Sequence, residues 1–122
     1  MDENLVASLA PDVDSDVLGF LRGNVDSFVK WDLIQFFDGH PDSVETAEHL
    51  ATFTGRDVEA TQAGLSELAG QQVLVPRQAG RSIAYSLADD PATRDLVHRF
   101  VRASADRGFR VRAIYHVIRS MQ

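Results

Sequence analysis

The stretch Ser43-Val44-Glu45-Thr46-Ala47-Glu48-His49-Leu50-Ala51-Thr52-Phe53-Thr54-Gly55, continued by Arg56 through Gly70, decides how the chain reads. Val44, Ala47, Leu50 and Ala51 recur at helical spacing and predict a short helix. Its start is expected at Asp42 or Ser43, either of which suits an N-cap. Thr54-Gly55 supplies the glycine with which helices commonly end. A second helix is expected over 56–70, with Val58, Thr61, Leu65 and Leu68 facing inward. Only a tight turn separates the two, and two short helices joined this way form a helix-turn-helix unit.

Downstream of this unit the periodicity changes. Gln72-Val73-Leu74-Val75-Pro76 and Ile83-Ala84-Tyr85-Ser86-Leu87 read as strands, the second alternating Ile83, Tyr85 and Leu87 with smaller residues. Arg77-Gln78-Ala79-Gly80-Arg81 between them reads as a glycine-containing hairpin tip. Pro76 lacks a ladder donor, which predicts an edge strand. Asp90-Pro91 then opens a helix, with Asp as cap and Pro in the first turn. That helix, 91–105, aligns Leu96, Val97, Phe100 and Val101. After Gly108 a last helix is expected over about 109–121, carrying Val111, Ile114, Tyr115, Ile118 and Met121.

Upstream, residues 25–38 form the most apolar helix, with Val25, Phe28, Val29, Leu33, Phe36 and Phe37 widened by Trp31 and Ile34. Gly39-His40-Pro41 ends it. A short helix over 14–22 precedes it, and Gly23-Asn24 separates the two, Asn24 being placed to cap the second. Residues 1–12 read as a loose acidic lead-in.

The 122 residues include no cysteine, so disulfides, thiolate-held metals and thiol chemistry are excluded. Hydrophobic residues at 44% and charged residues at 25% are ordinary globular proportions. No apolar run approaches the roughly 20 residues of a membrane span. The start lacks the layout of a signal peptide, so a cytoplasmic protein is expected. The net charge of −6 is unevenly spread. Residues 1–70 set three cations against fourteen acids, whereas 71–122 set nine arginines against four acids. Such polarity suits a polyanion partner, self-association of opposite ends, or a solvated mixed surface.

From 25 to 88 the order is helix, helix, turn, helix, strand, arginine-flanked hairpin, strand. This resembles the winged helix-turn-helix domain of bacterial transcriptional regulators of the ArsR-like and MarR-like kind. The residues that carry the resemblance are Ser43 through Ala51, Thr54-Gly55, Val58 through Leu68 and Val73-Leu74-Val75. The resemblance covers about half the chain. It implies a mainly α domain with a small β-wing and additional N-terminal and C-terminal helices. Residues 1–122 would be one domain: a lead-in and short helix over 1–24, the winged core over 25–88, and terminal helices over 89–122.

The resemblance also implies that the helix at 56–69 enters a DNA major groove, with Arg56, Gln62 and Ser66 toward it. Arg77 and Arg81 on the wing would meet phosphate or a narrow minor groove. Val111, Ile114, Tyr115 and Ile118 have the spacing of a short apolar seam, open to packing on the chain's own core or to a two-fold homodimer. The expected function is therefore double-stranded DNA binding in transcriptional regulation. Asp57, Glu59 and Glu67 put negative charge on the groove helix and suit the alternative, a winged-helix module that docks a protein and binds no DNA. A small-molecule pocket between the N-terminal and C-terminal helices is compatible with either.

Enzymatic chemistry is not expected. The histidines His40, His49, His98 and His116 form no short ligand spacing, and no Ser–His–Asp pattern, P-loop or dinucleotide fingerprint is present. Asp38-Gly39-His40-Pro41-Asp42 groups polar ligands but reads as a helix-ending turn. His98 and His116 could approach each other across the last two helices. No metal or cofactor is expected.

Overall fold

The computed structural model describes residues 15–122. The expected lead-in over 1–12 and the start of the first helix at 14 lie outside the described residues.

Helix α1 (Ser15–Asn24) buries Val17, Phe20 and Leu21. It runs further than the sequence suggests. The Asn24 Nδ2 donates to the Phe20 carbonyl at 3.2 Å, so Asn24 closes α1 instead of capping the next helix. The cap of α2 (Phe28–Gly39) is Ser27, whose Oγ accepts from the Lys30 N–H. Five large apolar side chains of α2, Trp31, Leu33, Ile34, Phe36 and Phe37, enter the core.

The helix after it starts later than expected. Glu45–Thr46 is a two-residue strand, β1, paired with Tyr85 and Ala84. The pairing holds the backbone extended up to Thr46, which then caps α3 (Ala47–Thr54) by accepting from the His49 N–H. Asp42 and Ser43 therefore do not cap, and Val44 lies outside the helix and exposed. Gly55 ends α3 at φ +71°, where a side chain would be strained. Asp57 caps α4 (Val58–Gly70), and Thr61, Gly64, Leu65 and Leu68 face inward, while Val58 is exposed. Gly64 lets α4 approach α2: a Cβ there would stand 3.2 Å from both Leu33 Cδ1 and Val29 Cγ1.

Strands β2 (Leu74–Ala79) and β3 (Ser82–Leu87) complete an antiparallel sheet of order β1-β3-β2. Pro76 falls on the edge strand, as its missing N–H requires. The hairpin is longer than expected, since Ala79 pairs with Ser82. Only Gly80-Arg81 turns, with Gly80 at φ +63° in the first central position of a two-residue loop. Arg77 thus belongs to the strand and not to the tip.

Asp90 caps α5 (Pro91–Ala103), with Pro91 in its first turn. Hydrogen bonds from the Thr93 hydroxyl and N–H hold the Asp90 carboxyl below the usual carboxylate value. Asp106 caps α6 (Arg107–Ser120). The core centres on Phe100 of α5. Its ring lies 5.3 Å from Phe20, 5.9 Å from Trp31 and 6.0 Å from Phe109, tying α1, α2 and α6 to one side chain. The result is a mainly helical winged helix-turn-helix arrangement: α3 and α4 form the unit, the three-stranded sheet is the wing, and α1, α5 and α6 flank it.

Candidate nucleic-acid interface

Subtracting the inward face of α4 leaves Glu59, Ala60, Gln62, Ala63, Ser66 and Glu67 exposed. The small Ala60, Ala63 and Ser66 give this face little bulk, so another surface can approach the helix closely. Two of its polar side chains are oriented by the wing. Gln62 Nε2 donates to the Tyr85 hydroxyl at 2.8 Å and to Ser66 Oγ at 3.1 Å, and Ser66 Oγ lies 3.5 Å from the same hydroxyl. Tyr85 is buried on β3. The cluster joins α4 to the sheet and brings Gln62 and Ser66 together.

Arg56 is directed elsewhere. Its Nε donates to Asp32 Oδ2 at 2.7 Å, so its cation lies against α2. The two wing arginines also separate. Arg77 pairs with Ala84 while the neighbouring Pro76 pairs with Tyr85. Alternation along the strand puts Arg77 on the sheet face opposite Tyr85. There it lines a cleft with Val44, Val75, Ser86, Asp42, Asp89 and Arg94. Arg81 occupies the tip turn, exposed and with no hydrogen bond or ion pair to another described residue. The five residues thus do not form one continuous patch: Gln62 and Ser66 meet, Arg81 projects from the tip, Arg56 turns to α2, and Arg77 lies behind the wing.

Other cations are committed to structure. Arg94 donates to the Ala88 and Pro41 carbonyls at 2.8 and 3.1 Å, clasping the loops that flank the sheet. Arg110 donates to the Ser104 and Ala105 carbonyls at the end of α5. Burial and the nearby Arg22 push the Arg112 guanidinium below its usual value.

Lys30 belongs to no sequence motif, yet it is fully buried between α2 and α4. Its Nζ lies 2.9 Å from Asp26 and 3.6 Å from Glu67, so part of the acidity of α4 is balanced from behind. The stripe 30, 33, 34, 37 on α2 carries the signal, because a lysine at a core-facing position needs an acidic partner.

Helix α6 is apolar on two sides. Phe109, Ala113 and Val117 are fully buried in the chain's own core. Val111, Ile114, Tyr115, Ile118 and Met121, on the opposite side, are 36–63% exposed. His98 sits against Asp38 of α2 at 3.1 Å, and no hydrogen bond or ring contact among the described residues joins it to His116. His40 closes α2 as its C-cap, in keeping with a helix-ending turn. Among the described residues no group of three or more His, Asp or Glu side chains is placed to hold a metal. No helix among them is long and apolar enough to cross a membrane.

The sequence matches no family model and no curated protein. Among solved structures the chain is similar to one described as a possible transcriptional regulator from Methanosarcina mazei Go1. The two are 17% identical, the match covers 92% of this chain and 88% of that one, and the TM-score is 0.49.

Proposed function

We propose that the whole chain acts as one winged-helix unit, a cytoplasmic transcriptional regulator that binds double-stranded DNA as a homodimer. The observation that carries the reading is the α4–wing cluster: a helix of low outward bulk whose Gln62 and Ser66 are oriented by Tyr85 of the wing, with Arg81 exposed at that wing's tip. Gln62 is suited to an adenine edge and Ser66 to base or phosphate, and Arg81 to backbone or minor groove. The role of α6 follows from its second apolar side. An exposed stripe of this size is a candidate contact surface, and a second copy offers the same stripe. A two-fold contact through Val111, Ile114, Tyr115 and Ile118 would set two α4 helices against successive half-sites, roughly 34 Å apart. Arg56 and Arg77 would join only by leaving their present positions, so few phosphates are neutralised per subunit.

The test is the salt dependence of binding to duplex fragments of the source genome, followed by fluorescence anisotropy. Arg81→Ala should weaken binding similarly on all sequences and reduce the slope of log K against log salt by about 2 per dimer. Absence of binding at low salt sinks the proposal.

A second reading, a protein-docking winged helix, is favoured by one observation: with Arg56 turned to Asp32, the exposed charges of α4 are Glu59 and Glu67, both acidic. Glu59→Lys separates the two within the same experiment. It strengthens DNA binding under the first reading and weakens a protein complex under the second.

A further inference from the structure

The sheet face turned away from Tyr85 carries a cleft of about 230 Å³. Val75 and Arg77 lie on that face because side chains alternate along β2, and Ser86 joins them as the cross-strand partner of Val75. Val44, one residue before β1, completes the row. Val44 and Val75 are 45% and 41% exposed, so the floor of the cleft is apolar and open to solvent. The volume lies below the roughly 300–1,000 Å³ of a drug-sized pocket, which suits a small molecule. None of these residues belongs to the outward face of α4 or to the α6 stripe.

The two ends of the cleft differ in charge. Arg77 stands two residues from Val75 toward the hairpin tip, whereas Asp42 precedes β1 and Asp89 follows β3 at the other end of the sheet. Asp42 and Asp89 share one guanidinium, that of Arg94, at 3.6 and 3.5 Å. Charge-assisted hydrogen bonds are shorter, about 2.7–2.9 Å. The close contacts of Arg94 go instead to the Ala88 and Pro41 carbonyls, at 2.8 and 3.1 Å. Both carboxylates are almost fully exposed and accept no hydrogen bond from a described residue. Two carboxylates against one guanidinium leave that end negative. Arg77 has no ion pair with a described residue and makes its own end positive.

We propose that this cleft binds a free α-amino acid with an aliphatic side chain. Arg77 pairs with its carboxylate, Asp42 and Asp89 with its ammonium, and its side chain covers Val44 and Val75. An anion without an amine meets two carboxylates. A cation without a carboxylate meets Arg77 and Arg94. An uncharged apolar molecule takes water from both ends and returns no partner. A zwitterion with an apolar side chain answers all three parts of the lining.

The experiment is an NMR titration of the full chain with L-leucine, beside N-acetyl-L-leucine, which lacks the ammonium, and L-leucinamide, which lacks the carboxylate. It uses neither DNA nor a dimer, so its outcome is independent of the DNA-binding reading. Leucine should give saturable shifts centred on Val44, Val75 and Ser86, and neither analogue should saturate at the same concentrations. Arg77→Gln should weaken leucine binding about ten-fold or more, the scale of one charge-assisted hydrogen bond. The paired change Asp42→Asn with Asp89→Asn should do the same. All three side chains are exposed, so the fold is expected to survive. Equal binding of N-acetyl-L-leucine would mean a carboxylate site, and equal binding of L-leucinamide a cation site; either overturns the proposal. So would shifts that scatter or fail to saturate, or leucine binding unchanged by Arg77→Gln.

Discussion

Ile118→Asp is expected to halve the solution mass to that of a single 13.5 kDa chain and to reduce DNA affinity at least 100-fold. Ile118 belongs to the exposed side of α6, opposite Phe109, Ala113 and Val117, so a carboxylate there leaves the chain's own core intact. Stability of the isolated fold should change by no more than about 0.5 kcal/mol, the usual scale for a surface substitution. In a two-fold contact the change occurs twice, near the centre of the interface. Two unpaired buried carboxylates cost several kcal/mol, enough to dissociate a moderate dimer. The affinity loss arises because a monomer engages one half-site and forgoes the effective concentration that linkage provides. Light scattering and anisotropy on the same samples check both parts. A wild-type chain that is already monomeric, or a variant that remains dimeric, removes α6 from the proposed interface.

The largest effect on folding is expected from Phe100→Ala, with a loss of about 3–5 kcal/mol read by urea unfolding. Phe100 is fully buried and touches rings from three other helices, Phe20, Trp31 and Phe109. Truncation leaves a cavity that the surrounding rings cannot fill without moving their helices, so the cost exceeds the transfer term alone. Because Phe109 is the anchor of α6 on this node, the variant should also weaken dimerisation, which Ile118→Asp does without loss of stability. A loss below about 1 kcal/mol would mean that the helices can close around the gap and that Phe100 is not the node the geometry indicates.

Local signals in the chain are legible where local physics decides the outcome. The apolar period places α2, α4 and α5, Asp90-Pro91 marks the start of α5, and Gly55 marks the end of α3. Pro76 marks an edge strand because it lacks an N–H wherever it sits. The departures share one cause. Asp42 and Ser43 have the chemistry of a cap, but pairing of Glu45–Thr46 with a strand some forty residues away keeps the backbone extended until Thr46. Arg77 has the setting of a tip residue, but cross-strand pairing continues to Ala79 and Ser82. Both outcomes depend on contacts distant in sequence.

The candidate interface divides in the same way. The charge asymmetry and the arginines are visible from composition, and so is a polar outward face on α4. Which cations remain available is not, because that depends on where acidic partners fall after packing. Arg56 finds Asp32, Arg94 finds two carbonyls, and Arg81 at the turn finds none among the described residues. Lys30 shows the converse, a cation buried beneath Asp26 and Glu67, which pair with its ammonium from the exposed side.

By itself, then, the sequence determined a cysteine-free, mainly helical chain with a helix-turn-helix unit and a hairpin, since periodicity, caps and turn residues act within a few positions. The tertiary structure alone decided which side of α6 the core takes. Both sides are apolar, and only the placement of Phe100 and its neighbouring rings selects Phe109, Ala113 and Val117 and leaves Val111, Ile114, Tyr115 and Ile118 facing outward.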